Sequence, residues 1–112
     1  MAARLFKGAE YLISAATKAD VFTPEDLSED QRAIAHTTEA FVKDEVLPVY
    51  ERLEHQEPGL AASLMRKAGE AGLLMIDVPE AYGGLELDKV TSVLAADRMG
   101  AAGAFSVAAS IT

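Results

Sequence analysis

Apolar residues fall at helical spacing in successive stretches of the chain, and Gly and Pro separate the stretches. The clearest stretch begins at Ser28. Ile34, Phe41, Val42, Glu45 and Val46 recur at intervals of three, four and seven, and the apolar members form one stripe opposite Arg32, Glu39, Lys43 and Asp44. Ser28 and Gln31 have the spacing of a capping box, in which each side chain satisfies a free N–H of the first turn. Glu29 and Asp30 add negative charge where the helix dipole favours it. Pro48 has no N–H to donate, so this helix is expected to end or kink near Leu47. Tyr50 and Leu53 predict a further turn or two before Pro58-Gly59.

Upstream, Lys7 to Ala19 places Ala9, Leu12, Ile13, Ala16 and Ala19 at helical spacing and reads as a short amphipathic helix or arm. Pro24 disfavours helical geometry at Thr23, so 20–27 is a connector. Downstream, a helix is expected from Leu60 to Glu70, with Leu60, Leu64, Ala68 and Ala71 on one face and Gly72 as its stop. The apolar run Leu73 to Ile76 follows, then a loop whose Gly83-Gly84 pair permits positive φ. Asp88 caps a fourth helix with Val90, Val93, Leu94 and Ala101 expected inward and Lys89 and Arg98 outward. Met99-Gly100 closes it, and Gly103 opens a fifth. The elements predict an all-α, up-and-down helical bundle over residues 23–112, preceded by an arm with a short helix over 1–22.

The final ten residues, Gly103 to Thr112, carry no charge. A contiguous apolar run of this kind either docks back on its own domain or marks a contact surface. The second alternative fits the front part of a larger protein, truncated here at its C-terminal end.

Composition narrows the classes. A chain of 112 residues holds one domain, and 50% hydrophobic with 25% charged residues is ordinary for a globular protein. With no Cys, disulfides, thiolate metal sites and thiol nucleophiles are excluded. No apolar run reaches the ~20 residues of a membrane span. Lys7, Glu10 and Lys18 interrupt any signal-peptide core, which points to bacterial cytoplasm or an organelle matrix. The net charge of −8 sits entirely between Asp20 and Glu57, where eleven acidic residues face three basic ones. Such a stripe repels phosphate backbones and anionic lipid, so nucleic acid is not an expected partner.

Candidate chemistry is thin. Glu51 and His55 stand at i, i+4 with Glu54 and Glu57 nearby, but a metal needs three or four converging ligands, and none is expected. His36 reads as a surface residue. The serines form no Ser-His-Asp arrangement, and Gly83-Gly84 lacks the spacing of a phosphate loop. No catalytic, cofactor-binding or metal-binding residue is therefore assigned.

Several segments nevertheless resemble one family. Phe22 to Gln31, Phe41-Val42-Lys43-Asp44-Glu45-Val46-Leu47-Pro48, Ala71-Gly72-Leu73-Leu74 and Val78-Pro79-Glu80-Ala81-Tyr82-Gly83-Gly84-Leu85-Glu86-Leu87-Asp88 look like the N-terminal domain of the acyl-CoA dehydrogenases, in order and spacing. Gly103-Ala104-Phe105-Ser106 after a helix ending in Met99 is similar too, and Lys7 to Leu12 resembles the very-long-chain-like branch. The resemblance implies a flavoprotein oxidoreductase of fatty acid β-oxidation. Its FAD lies between later domains, its catalytic glutamate lies in a C-terminal domain, and its partners are acyl-CoA, an electron-transfer flavoprotein and further copies of itself in a homo-oligomer. By this resemblance the fragment alone is not catalytic and binds no FAD, while Phe105 to Ile111 helps wall the acyl pocket, with Phe105, Ser106 and Ala109 as substrate-binding residues. Ser106 has a rival reading as a helix-start cap. Two departures bear on the pocket: Arg98 stands where an acidic residue is common, and Ala101-Ala102-Gly103 is unusually small. The alternative function is a free-standing helical interaction module that docks through its apolar C-terminal segment.

Overall fold

A computed structural model describes residues 5, 7–15, 17 and 21–110. Among them the regular structure is helical and contains no strand. Five α-helices follow one another: α1 (Glu29–Phe41), α2 (Tyr50–Glu54), α3 (Leu60–Glu70), α4 (Lys89–Met99) and α5 (Ala104–Ser110).

The expected start of α1 is present in detail. The Ser28 hydroxyl accepts from the Gln31 N–H at 3.2 Å, and Gln31 Oε1 accepts from the Ser28 N–H at 2.9 Å. Pro48 changes the pitch of the helical path rather than ending it. Val42–Val46 widens into a π-helical turn in which the Leu47 N–H reaches back to the Val42 carbonyl, and Leu47–Val49 then tightens to a 3₁₀ turn before α2. Changing the pitch around the ring accommodates both the missing N–H and its steric bulk.

Helix directions follow from side-chain contacts. Lys67, late in α3, bonds Glu45 Oε2 at 2.6 Å, upstream of α2, so α3 runs back along the strut that precedes it. At the other end Arg52 bonds Glu57 Oε2 at 2.8 Å, across the turn that joins them. Gln31 Nε2 lies 3.4 Å from Asp88 Oδ2, and Arg98 Nε lies 2.8 Å from Glu39 Oε1, so α4 runs parallel to α1. The result is the up-down-up order of the expected bundle. Its core joins Phe41, Val42 and Val46 to Leu64, Met99 and Phe105.

Two helix faces differ from expectation. On α4 the buried residues are Thr91, Ala95 and Met99, whereas Val90, Val93 and Ala101 are exposed and Leu94 is half-buried. The Asp88 side chain accepts from the Thr91 N–H at 2.8 Å and sets where the helix begins. Close approach to α1 then selects small residues, Ala35 and Thr38 on that helix and Thr91 and Ala95 on α4. The buried hydroxyls are satisfied locally, Thr38 donating to the Ile34 carbonyl at 2.8 Å and Thr91 to Asp88 Oδ1 at 2.7 Å. On α3, Leu64 and Ala68 are buried but Ala71 is exposed, because the helix has already closed. Gly72, at φ +80°, donates to the Gly69 carbonyl and Leu73 to the Ala68 carbonyl, both at 3.0 Å, which is a Schellman stop.

Among the described residues of the arm, Glu10–Leu12 forms a 3₁₀ turn, and Leu12 and Ile13 are exposed. Ala16, Lys18 and Ala19 of the expected helix lie outside the described residues.

Four hydrogen bonds tie the loop before α4 to the 75–79 segment: Leu85 N–H to Met75, Leu87 N–H to Ile76, Glu86 N–H to Val78 and Gly84 N–H to Pro79. The two glycines serve different needs. Gly83 holds φ +83°; Gly84 does not have positive φ, but a Cβ there would overlap the Val78 carbonyl. Gly83→Val should therefore lower stability by about 1–3 kcal/mol. Lys89→Ala removes only an exposed pair with Asp77, 2.6 Å long, and should change stability by at most about 0.5 kcal/mol. Denaturant midpoints separate the two; equal midpoints would contradict the constraint on the turn.

Candidate functional site

The Schellman stop after α3 turns Leu73 to Ile76 towards α4, and Gly103 turns α5 back onto the same side. Between these elements lies a pocket of about 160 Å³. Leu73, Ile76 and Val78 form one wall, Ala95, Ala96 and Met99 of α4 another, and Ser106 and Ala109 of α5 a third. The alanines create the volume, since a larger side chain at any of them would occupy it. Asp77, Ser92 and Ser106 supply the polar lining. The Asp77 charge is compensated: a hydrogen bond from Lys89, and the charge of that ammonium, hold its carboxyl below the usual range. Asp88 is likewise held low, first by the Thr91 hydroxyl, and serves as the cap of α4.

The three residues singled out in sequence fall in two places. Ser106 and Ala109 line the pocket. Phe105 points the other way, into the core, where it is 3% exposed and its ring centroid lies 6.1 Å from that of Phe41. The Ser106 hydroxyl donates to the Gly103 carbonyl at 2.6 Å, so it engages the backbone from inside the first turn of α5 and not from a cap position. Ile111 lies outside the described residues.

The pocket's other walls went unassigned in sequence. The signal for them was the juxtaposition of an apolar run, Leu73 to Ile76, with an Ala-Ala step on the next helix, which only the fold brings together. The two departures have structural explanations away from the pocket. Arg98 is half-buried, not outward, and joins α4 to α1 through Glu39. Its buried Nε has no acceptor in line with the N–H, so that contact is an ion pair rather than a directed hydrogen bond. Ala102 is fully buried and Gly103 packs against Tyr50, so the small residues there allow a tight turn. Glu51, Glu54, His36 and His55 are all exposed, and among the described residues no three His, Cys, Asp or Glu side chains converge as metal ligands. No described helix is long and apolar enough to cross a membrane.

Comparison with known proteins agrees with this architecture. The sequence model described as "Acyl-CoA dehydrogenase, N-terminal domain" matches residues 28–112. A probable acyl-CoA dehydrogenase of Bacillus subtilis (strain 168) is 42% identical over 106 residues, which cover 95% of this chain and 18% of that protein. The crystal structure of an acyl-CoA dehydrogenase complexed with FAD from Bacillus anthracis superposes with a TM-score of 0.86 at 47% identity, covering 93% of this chain and 18% of that one. The chain thus spans about a fifth of the length of these relatives. A match of this extent, over a helical bundle with the expected caps and order, places the chain in the acyl-CoA dehydrogenase family, as its N-terminal domain.

Proposed function

We propose that this chain is the N-terminal helical domain of an FAD-dependent enzyme that dehydrogenates acyl-CoA thioesters between their α and β carbons, and that it walls part of the acyl pocket. The supporting observation is the pocket between α4, α5 and the 73–78 segment, with Ser106 and Ala109 on its wall and Phe105 anchoring the helix that carries them. Ligand sites of this kind are mostly apolar and shaped by packed elements. The domain runs over 23–112 and the arm over 1–22, with the arm nearest the very-long-chain-like branch. The enzyme works as a homo-oligomer in the bacterial cytoplasm or an organelle matrix and passes electrons to an electron-transfer flavoprotein.

The Gly83-Gly84 turn does not fit the diphosphate of a flavin dinucleotide. The one Gly-Gly turn has its second glycine packed against the Val78 carbonyl, leaving no cradle for a diphosphate. In this reading other domains would hold the flavin, which would supply the redox chemistry, and would carry the base. This chain's own residues exclude water from the acyl tail and set the shape of its channel.

Two preparations test the reading. The 112-residue chain, purified alone, should show no flavin absorbance and oxidise no acyl-CoA. A hybrid in which residues 28–112 replace the matching domain of the Bacillus anthracis enzyme should bind FAD and oxidise acyl-CoA. Stoichiometric flavin on the isolated chain, or a folded FAD-loaded hybrid inert towards every acyl-CoA, would overturn it.

A further inference from the structure

The turn that aims α5 is held from outside the pocket. Gly103 adopts φ +57° and ψ −129°, a region open to glycine and strained for other residues. Its Cα faces Tyr50: a Cβ at 103 would stand 2.6 Å from the Tyr50 Oη, 3.1 Å from Cε2 and 3.3 Å from Cζ. Tyr50 is half-buried at the start of α2, directly after the 3₁₀ turn that contains Pro48. The Glu54 carboxylate, one turn on, pushes the pKa of its hydroxyl up, by hydrogen bonding first and by its charge second. α5 is a helix of seven residues and begins at the very next position. Its other fixed points are Phe105 in the core and the Ser106 hydroxyl on the Gly103 carbonyl. A small rotation at Gly103 would carry Ser106 and Ala109 into or out of the pocket.

We propose that Tyr50 is a positioning residue for acyl-chain selection: seated against Gly103, it fixes the direction of α5 and so the place of Ser106 and Ala109 in the pocket wall. The inference rests on the reading of that pocket as an acyl site. It makes acyl preference depend on a side chain that lies on α2 and does not line the pocket, because a displacement of about 1 Å at a binding wall can change rates by orders of magnitude.

The test compares Tyr50→Ala, Tyr50→Leu and Tyr50→Phe with Ala109→Leu. In the FAD-loaded enzyme carrying this domain, the readout is the profile of kcat/KM against acyl-chain length. In the 112-residue chain, it is amide hydrogen exchange of α5. Removing the ring should change the long-to-short ratio of kcat/KM by about threefold or more and speed exchange in α5 but not in α3. Tyr50→Leu keeps apolar bulk and serves if the alanine variant does not fold. Tyr50→Phe keeps the ring edge against Gly103 and should stay nearest the parent. If Ala109→Leu moves the profile while Tyr50→Ala and Tyr50→Leu leave it in place, the positioning role is wrong, whether or not α5 exchange rises. If Ala109→Leu itself moves nothing, the acyl reading of the pocket fails, and the Tyr50 inference falls with it.

Discussion

Phe105→Ala should destabilise the domain by about 3–5 kcal/mol, the usual loss for emptying a buried aromatic site. Phe105 is 3% exposed, stacks at a tilt of 36° on Phe41 and closes the same core cluster as Val46, Leu64 and Met99. It is also the main apolar anchor of α5, so the cavity cannot be refilled without moving that helix. Against a typical total of about 5–15 kcal/mol, that loss is a large share of the domain's stability. Val93→Ala, on the exposed face of α4, is the control and should stay within about 0.5 kcal/mol of the parent. Urea midpoints of the two variants check this. A similar loss for both, or none for Phe105→Ala, would mean that α5 is not seated in the core.

The sequence was most legible where a local rule governs. The Ser28–Gln31 capping box, the bounds of α3 and the Asp88 cap depend on neighbouring residues, and all are present. It was least legible where the identity of the packing partner decides. The outward residues of α4, Val90 and Val93, are more apolar than its inward Thr91 and Ala95, because close approach to α1 rewards small size over hydrophobicity. The same logic separates Phe105 from Ser106 and Ala109. All three fall in one apolar stretch, and only the direction of α5, set at Gly103, decides which reaches the pocket and which the core. The pocket itself joins residues 73–78, α4 and α5, a meeting that no single window of sequence contains.

Ala109→Leu should act on the pocket in the opposite sense to the loss of Phe105: it fills space rather than emptying it. Ala109 is half-buried on the pocket wall, and leucine adds three carbon atoms to a space of about 160 Å³. Overpacking a tight apolar site costs about 1–3 kcal/mol, felt by whichever substrate reaches that depth. With the pocket as the proposed acyl site, the penalty should fall on long acyl chains and spare short ones. Ser106→Ala is the companion variant: its hydroxyl bonds the Gly103 carbonyl, so stability should fall slightly and chain preference should shift less than in Ala109→Leu.

The most direct measurement is kcat/KM across a series of acyl-CoA chain lengths, for parent and Ala109→Leu, in the FAD-loaded enzyme that carries this domain. A pocket wall at Ala109 predicts that the ratio of long-chain to short-chain kcat/KM falls by about tenfold, the low end of what a single methylene commands in an apolar pocket. A folded Ala109→Leu enzyme with the parent's profile at every chain length would show that α5 does not line the acyl pocket.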